Sequence, residues 1–297
     1  MTEHRLVLLA DPRWRHPAET LARELGIAWL PSPDALPLRY LHYDDAGLAL
    51  IEGHHSRRGG SASFSRISCD FVGGAARHRR LYGGGAGQVM ARAVGLSSRF
   101  KPLVADLTAG MGRDGFALAT LGARVIWAER HPIVAALLAD GLHRLRVATE
   151  SAPRPAGDEG RDARELVDIA ARLSLYALDG RTWLEDPGRR ESPDVIYLDP
   201  MFPPRDKSAA VKKEMAAFHH LVGSDDDAGE LLSAALTAAR YRVVVKRPRR
   251  APSLAGRQPS FSLAGKTTRF DVFSLAKLPG WGGGGETDLV KRRAVFS

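Results

Sequence analysis

Four carboxylates each close a short apolar run: Asp106 after "LVA", Glu129 after "RVIWA", Asp179 after "LSLYAL" and Asp199 after "VIYL". Continuous apolar runs of this length are what strands buried on both faces of a parallel sheet look like. Ligands of such sheets bind outside the carboxyl ends of the strands. A single acid there could simply cap a helix or a turn. Four at successive strand ends make a candidate polar site. The last run ends unusually, in Asp199-Pro200-Met201-Phe202-Pro203-Pro204. The Asp199 carboxylate and the Pro200 carbonyl are two acceptors, and proline fixes its backbone without offering a competing N–H. Phe202 adds a stacking face, a contact worth about 1–3 kcal/mol against a base. Such a set suits a flat exocyclic amine, whose lone pair must leave ring conjugation before it can attack an electrophile.

The stretch "DLTAGMGRDGFAL" spaces Gly110, Gly112 and Gly115 as G-x-G-x-x-G, with Glu129 at the end of the next strand. That pattern fits a dinucleotide site and an S-adenosylmethionine site alike. Asp106 tilts the choice, because a carboxylate just before the turn repels a pyrophosphate and attracts a cationic amino group. Asp179 could accept from an adenine amine. No His/Cys cluster has convincing ligand spacing, and no metal is expected.

The elements that must hold these residues follow from the pattern between Pro102 and Leu278. Strands are expected at 104–107, 123–129, 173–180, 194–200, 241–248 and 269–278, alternating with helices at 113–121, 132–145, 208–220 and 228–240. The fold class expected is α/β: a Rossmann-like, mostly parallel seven-stranded sheet, with one strand still to be placed. Residues 1–75 are expected to form a small α+β N-terminal lobe, and 76–101 a basic, Gly-rich connector and helix. The main sheet domain is expected to span 102–278, with 279–297 as a flexible tail. Residues 149–164, polar and Pro/Gly-containing, read as an exposed loop or disordered insertion.

The net charge of +9 is unevenly spread: residues 54–101 carry 9 basic and 1 acidic side chains, and 240–297 carry 13 and 3. Clusters of this kind are the footprint of a polyanion, since phosphate contacts release counterions. The lone Cys69 excludes an internal disulfide and suits a reducing cytoplasm. No apolar stretch approaches the length that spans a bilayer, so a cytoplasmic protein without a membrane partner is expected.

Several blocks together resemble the bacterial RsmJ family: "ADLTAGMGRDGFALATLGARVIWAERHP", "YLDPMFPPRDKSAAVKKEM", "FHHLVGSD" and "RVVVKRPRRAPSLAG". "DFVGGAARHRRLYGGGAGQVMARAVGL" resembles the segment that precedes that family's core, so the likeness spans roughly 65–278. The family comprises guanine-N2 methyltransferases of small-subunit (16S) ribosomal RNA that use S-adenosylmethionine. The resemblance implies that Arg113 and Asp114 contact the cofactor, that Glu129 and Arg130 lie at its ribose, Asp179 and Gly180 near adenine, and Asp199 at the transfer centre. With Asp106, Gly110 and Gly112 these make the expected cofactor set, and Asp199, Pro200 and Phe202 the catalytic set. Where the family often has two serines, this chain reads Asp179-Gly180. Candidate RNA contacts are Arg77, Arg79, Arg80, Lys207, Lys246, Arg247, Lys266 and Arg269. Competing readings are methylation of another planar amine (DNA adenine or protein glutamine), a nucleotide-binding RNA chaperone without transfer activity, and a nicotinamide dehydrogenase.

Overall fold

The computed structural model describes residues 6–31, 37–54, 63–73, 86–151, 158–188, 191–201 and 225–279. Arg77, Arg79, Arg80, Phe202, Lys207, the helix expected at 208–220 and the tail from residue 280 lie outside them.

The long apolar runs form the middle of a seven-stranded sheet ordered β11-β12-β10-β9-β6-β7-β8. Its strands are β6 (Leu103–Asp106), β7 (Arg124–Ala128), β8 (Leu173–Tyr176), β9 (Val195–Leu198), β10 (Arg242–Pro248), β11 (Phe261–Ala264) and β12 (Thr268–Ser274). Strands β10, β9, β6, β7 and β8 pair in parallel, while β12 runs antiparallel to both β10 and β11. Val195 to Leu198 and Val243 to Val245 are fully buried, as expected of strands covered on both faces. From β6 the chain builds outward in one direction through β7 and β8, and in the other through β9 and β10. The β6/β9 boundary is therefore the topological switch point, where a ligand crevice opens in such sheets.

The N-terminal residues form a second sheet, β2-β1-β3-β4-β5, from β1 (Val7–Ala10), β2 (Ala28–Trp29), β3 (Arg39–Asp44), β4 (Gly47–His54) and β5 (Ser63–Ile67), with helix α1 (Arg15–Leu25) beside it. Strand alternation sorts its apolar residues onto two faces. Leu8, Leu41, Leu48 and Leu50 join one buried cluster with Trp127, Leu137 and Leu138 of the larger unit, whereas Val7, Leu9, Tyr40 and Ala49 form a separate small one. Two glycines allow this close approach. A Cβ on Gly141 would lie 2.5 Å from that of Cys69, and one on Gly47 (φ +90°) 2.3 Å from Arg144 Nε.

Helix α2 (Ala86–Ala93) begins where the glycine-rich connector was expected to turn helical. Helices α3 (Arg113–Thr120), α4 (Pro132–Ser151), α5 (Asp158–Ala171), α6 (Gly180–Glu185) and α7 (Ala228–Ala238) follow the strands. The expected exposed insertion at 149–164 is corrected at its two ends, where α4 runs on to Ser151 and α5 starts at Asp158; residues 152–157 lie outside the described residues. Leu166, Ile169 and Ala170, just past that stretch, recur at helical spacing and are buried, so α5 packs one face on the core. The third strand ends at Tyr176, not 180, because Asp179 starts a helix. Six of the seven expected strands were placed from the sequence, and β11 is the seventh. It is the missing partner of β12. Among the described residues no helix is long and apolar enough to cross a membrane.

Candidate active site

The turn after β6 is built by backbone geometry that only glycine adopts cheaply: Gly110 has φ +53° and Gly112 φ +67°. A Cβ on Gly115 would lie 2.0 Å from Trp127 Nε1, so this glycine lets α3 pack directly on β7. A Cβ on Gly180 would crowd Leu107 at 2.8 Å, while one on Gly110 would meet nothing within 4 Å. Gly110 faces the open cleft. Its N–H is not left for a phosphate, because it donates to Glu129 Oε2 at 2.7 Å; His131 N donates to Oε1 at 2.8 Å.

Among the described residues, the cleft of about 350 Å³ is lined by Asp106, Asp114, Glu129, Asp179, Asp199, Asp225 and Asp227, against Arg113, Arg130 and Lys246 of opposite sign. Seven carboxylates around three cations suit a cationic ligand and repel a pyrophosphate. Burial pushes the Asp106 carboxyl well above the usual carboxylate range, with the nearby Asp114 adding to the rise. Burial also raises Glu129, and the two backbone N–H donors pull it part of the way back. A carboxylate offers about four acceptor positions, so Glu129 can hold these donors and still accept from ribose hydroxyls. An acid-lined cleft of this kind fits the cationic S-adenosylmethionine, with Asp106 and Glu129 among the carboxylates available to it.

Asp199 stands at the far wall. Its N–H donates to Thr108 Oγ1 at 2.6 Å, tying the end of β9 to the turn after β6. Lys246, on the neighbouring β10, donates to Asp199 Oδ2 at 2.8 Å and to Asp114 Oδ2 at 2.7 Å. Tyr197, fully buried, donates its hydroxyl to the same Asp114 oxygen at 2.7 Å. Burial raises the Asp199 carboxyl, Lys246 lowers it, and Asp114 opposes that lowering. Burial alone would depress the Lys246 ammonium, but Asp199 and Asp114 reverse this and hold it above its ordinary range. Lys246 remains a cation throughout the physiological range.

The Pro200-Met201 segment is braced from a distant part of the chain. Met201 N donates to Asp225 Oδ2 at 2.6 Å, and the Arg130 guanidinium binds both Asp225 and Asp227. Arg130 therefore serves the loop anchor as well as lining the cleft. Asp179 lines the cleft, but its Oδ1 accepts from Arg181 N and Thr182 N at 2.8 and 3.4 Å, making it the N-cap of α6. Its expected role at adenine shares the carboxylate with this cap. Thr108, Tyr197, Asp225 and Asp227 were not anticipated. Nor was Ile67, which brings β5 to the cleft wall.

Two expected RNA contacts are corrected. Arg247 is buried, donating through Nε and Nη2 to the Pro252 carbonyl at 3.1 and 2.7 Å. Arg269 is forked onto buried Asp271 at 2.8 and 3.0 Å and also reaches the Arg249 and Ala251 carbonyls. Both guanidiniums are spent inside the protein. Lys246 faces the cleft, and Lys266 is exposed on the β11–β12 turn.

Residues 38–275 match the family profile described as "Putative SAM-dependent methyltransferase". A relative named ribosomal RNA small subunit methyltransferase J from Marinobacter nauticus is 45% identical over 267 residues, 88% of each chain. Its namesake from Pseudomonas paraeruginosa is 49% identical over 274 residues, covering 91% of this chain and 94% of the relative. The crystal structure of a SAM-dependent methyltransferase from Neisseria gonorrhoeae matches with a TM-score of 0.64 at 33% identity, covering 94% of this chain and 100% of that one. With the glycine turn, the acid-lined cleft and the Asp199-Pro200 strand end in place, the chain belongs to the ribosomal RNA small subunit methyltransferase J family of SAM-dependent methyltransferases.

Proposed function

We propose that this enzyme methylates the exocyclic N2 amine of a guanine in 16S ribosomal RNA. The observation that carries the reading is the placement of Asp199. Its carboxylate stands at the switch point across from the acid-lined floor, with its backbone pinned by Thr108. Bound S-adenosylmethionine supplies an electrophilic methyl group on a sulfonium, and the protein supplies alignment. Among the described residues only Oδ2 of Asp199 is engaged, by Lys246, which leaves Oδ1 to accept one amine hydrogen. The Pro200 carbonyl accepts the other. Two acceptors favour the pyramidal nitrogen whose lone pair points at the methyl, and positioning of this kind is worth up to about 7–11 kcal/mol. Lys246 favours the ionised form of Asp199, the form that can take the proton the methylated amine sheds. Phe202, next in sequence, is the proposed stacking face. The cofactor lies along Asp106, the Gly110–Asp114 turn, Glu129-Arg130 and Asp179-Gly180. The basic segment holding Arg77, Arg79 and Arg80, together with Lys207 and Lys266, meets the RNA backbone, and the reaction takes place in the cytoplasm.

The test is transfer of a labelled methyl group to small ribosomal subunits and to naked 16S RNA from cells lacking this protein, followed by nucleoside analysis. N2-methylguanosine at one site is expected. Label in N6-methyladenosine, or in protein, would overturn the reading.

A further inference from the structure

Beyond Lys246 the chain reads Arg247-Pro248-Arg249-Arg250-Ala251-Pro252, and its three cations have two fates. Arg247 points inward to the Pro252 carbonyl. Arg249 and Arg250 are exposed, and neither makes an ion pair with a described residue. Arg269 reaches under the turn from β12. Its Nη1 donates to the Arg249 and Ala251 carbonyls at 3.0 and 2.6 Å, with a longer contact to that of Pro248, while Asp271 holds its other edge. The Arg249 N–H donates to the Thr267 carbonyl at 3.0 Å, joining the turn to the hairpin that carries exposed Lys266.

We infer that residues 248–252 and the β11–β12 turn form a preformed ledge for the RNA backbone beside the target base, with Arg249, Arg250 and Lys266 as the phosphate contacts. Two internal guanidiniums cover the carbonyl oxygens that a polyanion would otherwise meet. They also fix the turn before binding, which removes an ordering cost. The ledge lies past the carboxyl end of β10: at about 3.3 Å per residue, Arg249 begins about 10 Å beyond Lys246, whose ammonium touches Asp199 in the cleft. Asp271, the acid that holds the brace, is itself buried and neutralised by Arg269. Arg269 is thus a positioning residue, not a contact.

The inference rests on RNA being the substrate, and the experiment separates the two claims. Binding of the full chain to a 16S RNA transcript is measured against salt, alongside cofactor affinity and methyl-transfer kinetics. The Arg249→Ala/Arg250→Ala variant is expected to lower the log–log salt slope by about 1.4–1.8. Its KM for RNA should rise while kcat and cofactor affinity hold. An unchanged slope overturns the ledge and leaves the methylation reading standing. A wild-type chain that binds the transcript without transferring methyl overturns the methylation reading, while the slope still judges the ledge. A wild type that does not bind overturns both. Arg269→Gln should raise KM with the slope unchanged, and Arg269→Lys, lacking the fork, should not rescue it. A slope loss matching that of Arg250→Ala alone would make Arg269 a contact and overturn the division into braces and contacts.

Discussion

The floor of the cleft and the turn beyond β10 are both dense in charge, yet they treat it in opposite ways. On the floor, burial makes Asp106 and Glu129 hold protons more tightly than a free carboxylate, and neighbouring acids add to the rise. In the turn, Arg247 is held by the Pro252 carbonyl and Arg269 by carbonyls and Asp271, while Arg249 and Arg250 face outward. An unsatisfied buried charge stores affinity for an opposite ligand; a satisfied one stores shape. Lys246 joins the regions, since it belongs to the arginine-rich strand but lies among the acids.

The largest expected effect removes the acid that faces both cofactor and base. Asp199→Ala should lower kcat by at least about a hundredfold, the scale of losing one preorganised polar contact to the reacting group. Cofactor affinity should stay within a few-fold. Retention of full activity in single-turnover assays would break the assignment of the floor's far wall to chemistry. Lys246→Met comes next. Without its ammonium the Asp199 carboxyl rises further, so the fraction ionised at neutral pH falls and the acidic limb of the kcat/KM profile moves to higher pH. Activity should recover as pH is raised. A loss equal at every pH would instead make Lys246 a contact to substrate.

Much of this site is legible in the chain, for a definite reason. Asp106, Glu129 and Asp199 end strands whose neighbours are apolar without interruption, so the sheet and its carboxyl edge announce themselves together. Asp225 and Asp227 carry no such mark. They follow a segment distant from the strands they serve, and only the folded chain brings Asp225 to the Met201 N–H. Strand β11 is four residues with alternating partial exposure, too short to stand out against a loop. The basic cluster misleads differently. Residues 246 and 247 are adjacent cations, but successive side chains of a strand face opposite sides, so one enters the cleft and the other the protein interior. Charge counted along the sequence loses that parity.

A smaller effect sharpens the floor. The Asp106 carboxyl is held above its ordinary range, and a cationic cofactor favours its ionised form, so binding should expel a proton. Affinity should therefore increase as pH rises through the folded-state value and level off above it. In Asp106→Asn the slope should vanish. Stability carries the same sign: the folded state binds this proton more tightly than the unfolded chain, so Asp106 lowers stability as pH rises from the usual carboxylate range through its folded value. The Asn variant without cofactor should be the more stable at neutral pH. Calorimetry in two buffers of different ionisation enthalpy reads the proton directly, and equal heats in both would remove Asp106 from the ammonium site.

The smallest effects test the other half of the comparison. If Arg247 is a brace, Arg247→Leu strands the Pro252 carbonyl and should cost about 1–3 kcal/mol of unfolding free energy. If Arg250 is an outward contact, Arg250→Ala should leave stability within about 0.5 kcal/mol. RNA binding should show the reverse order, with the salt slope falling in Arg250→Ala and unchanged in Arg247→Leu. Denaturant midpoints and salt titrations on the same two proteins decide it. Two arginines three positions apart would then have exchanged which measurement they move, and a pair that moved both measurements together would mean that the inward and outward charges are not separate populations.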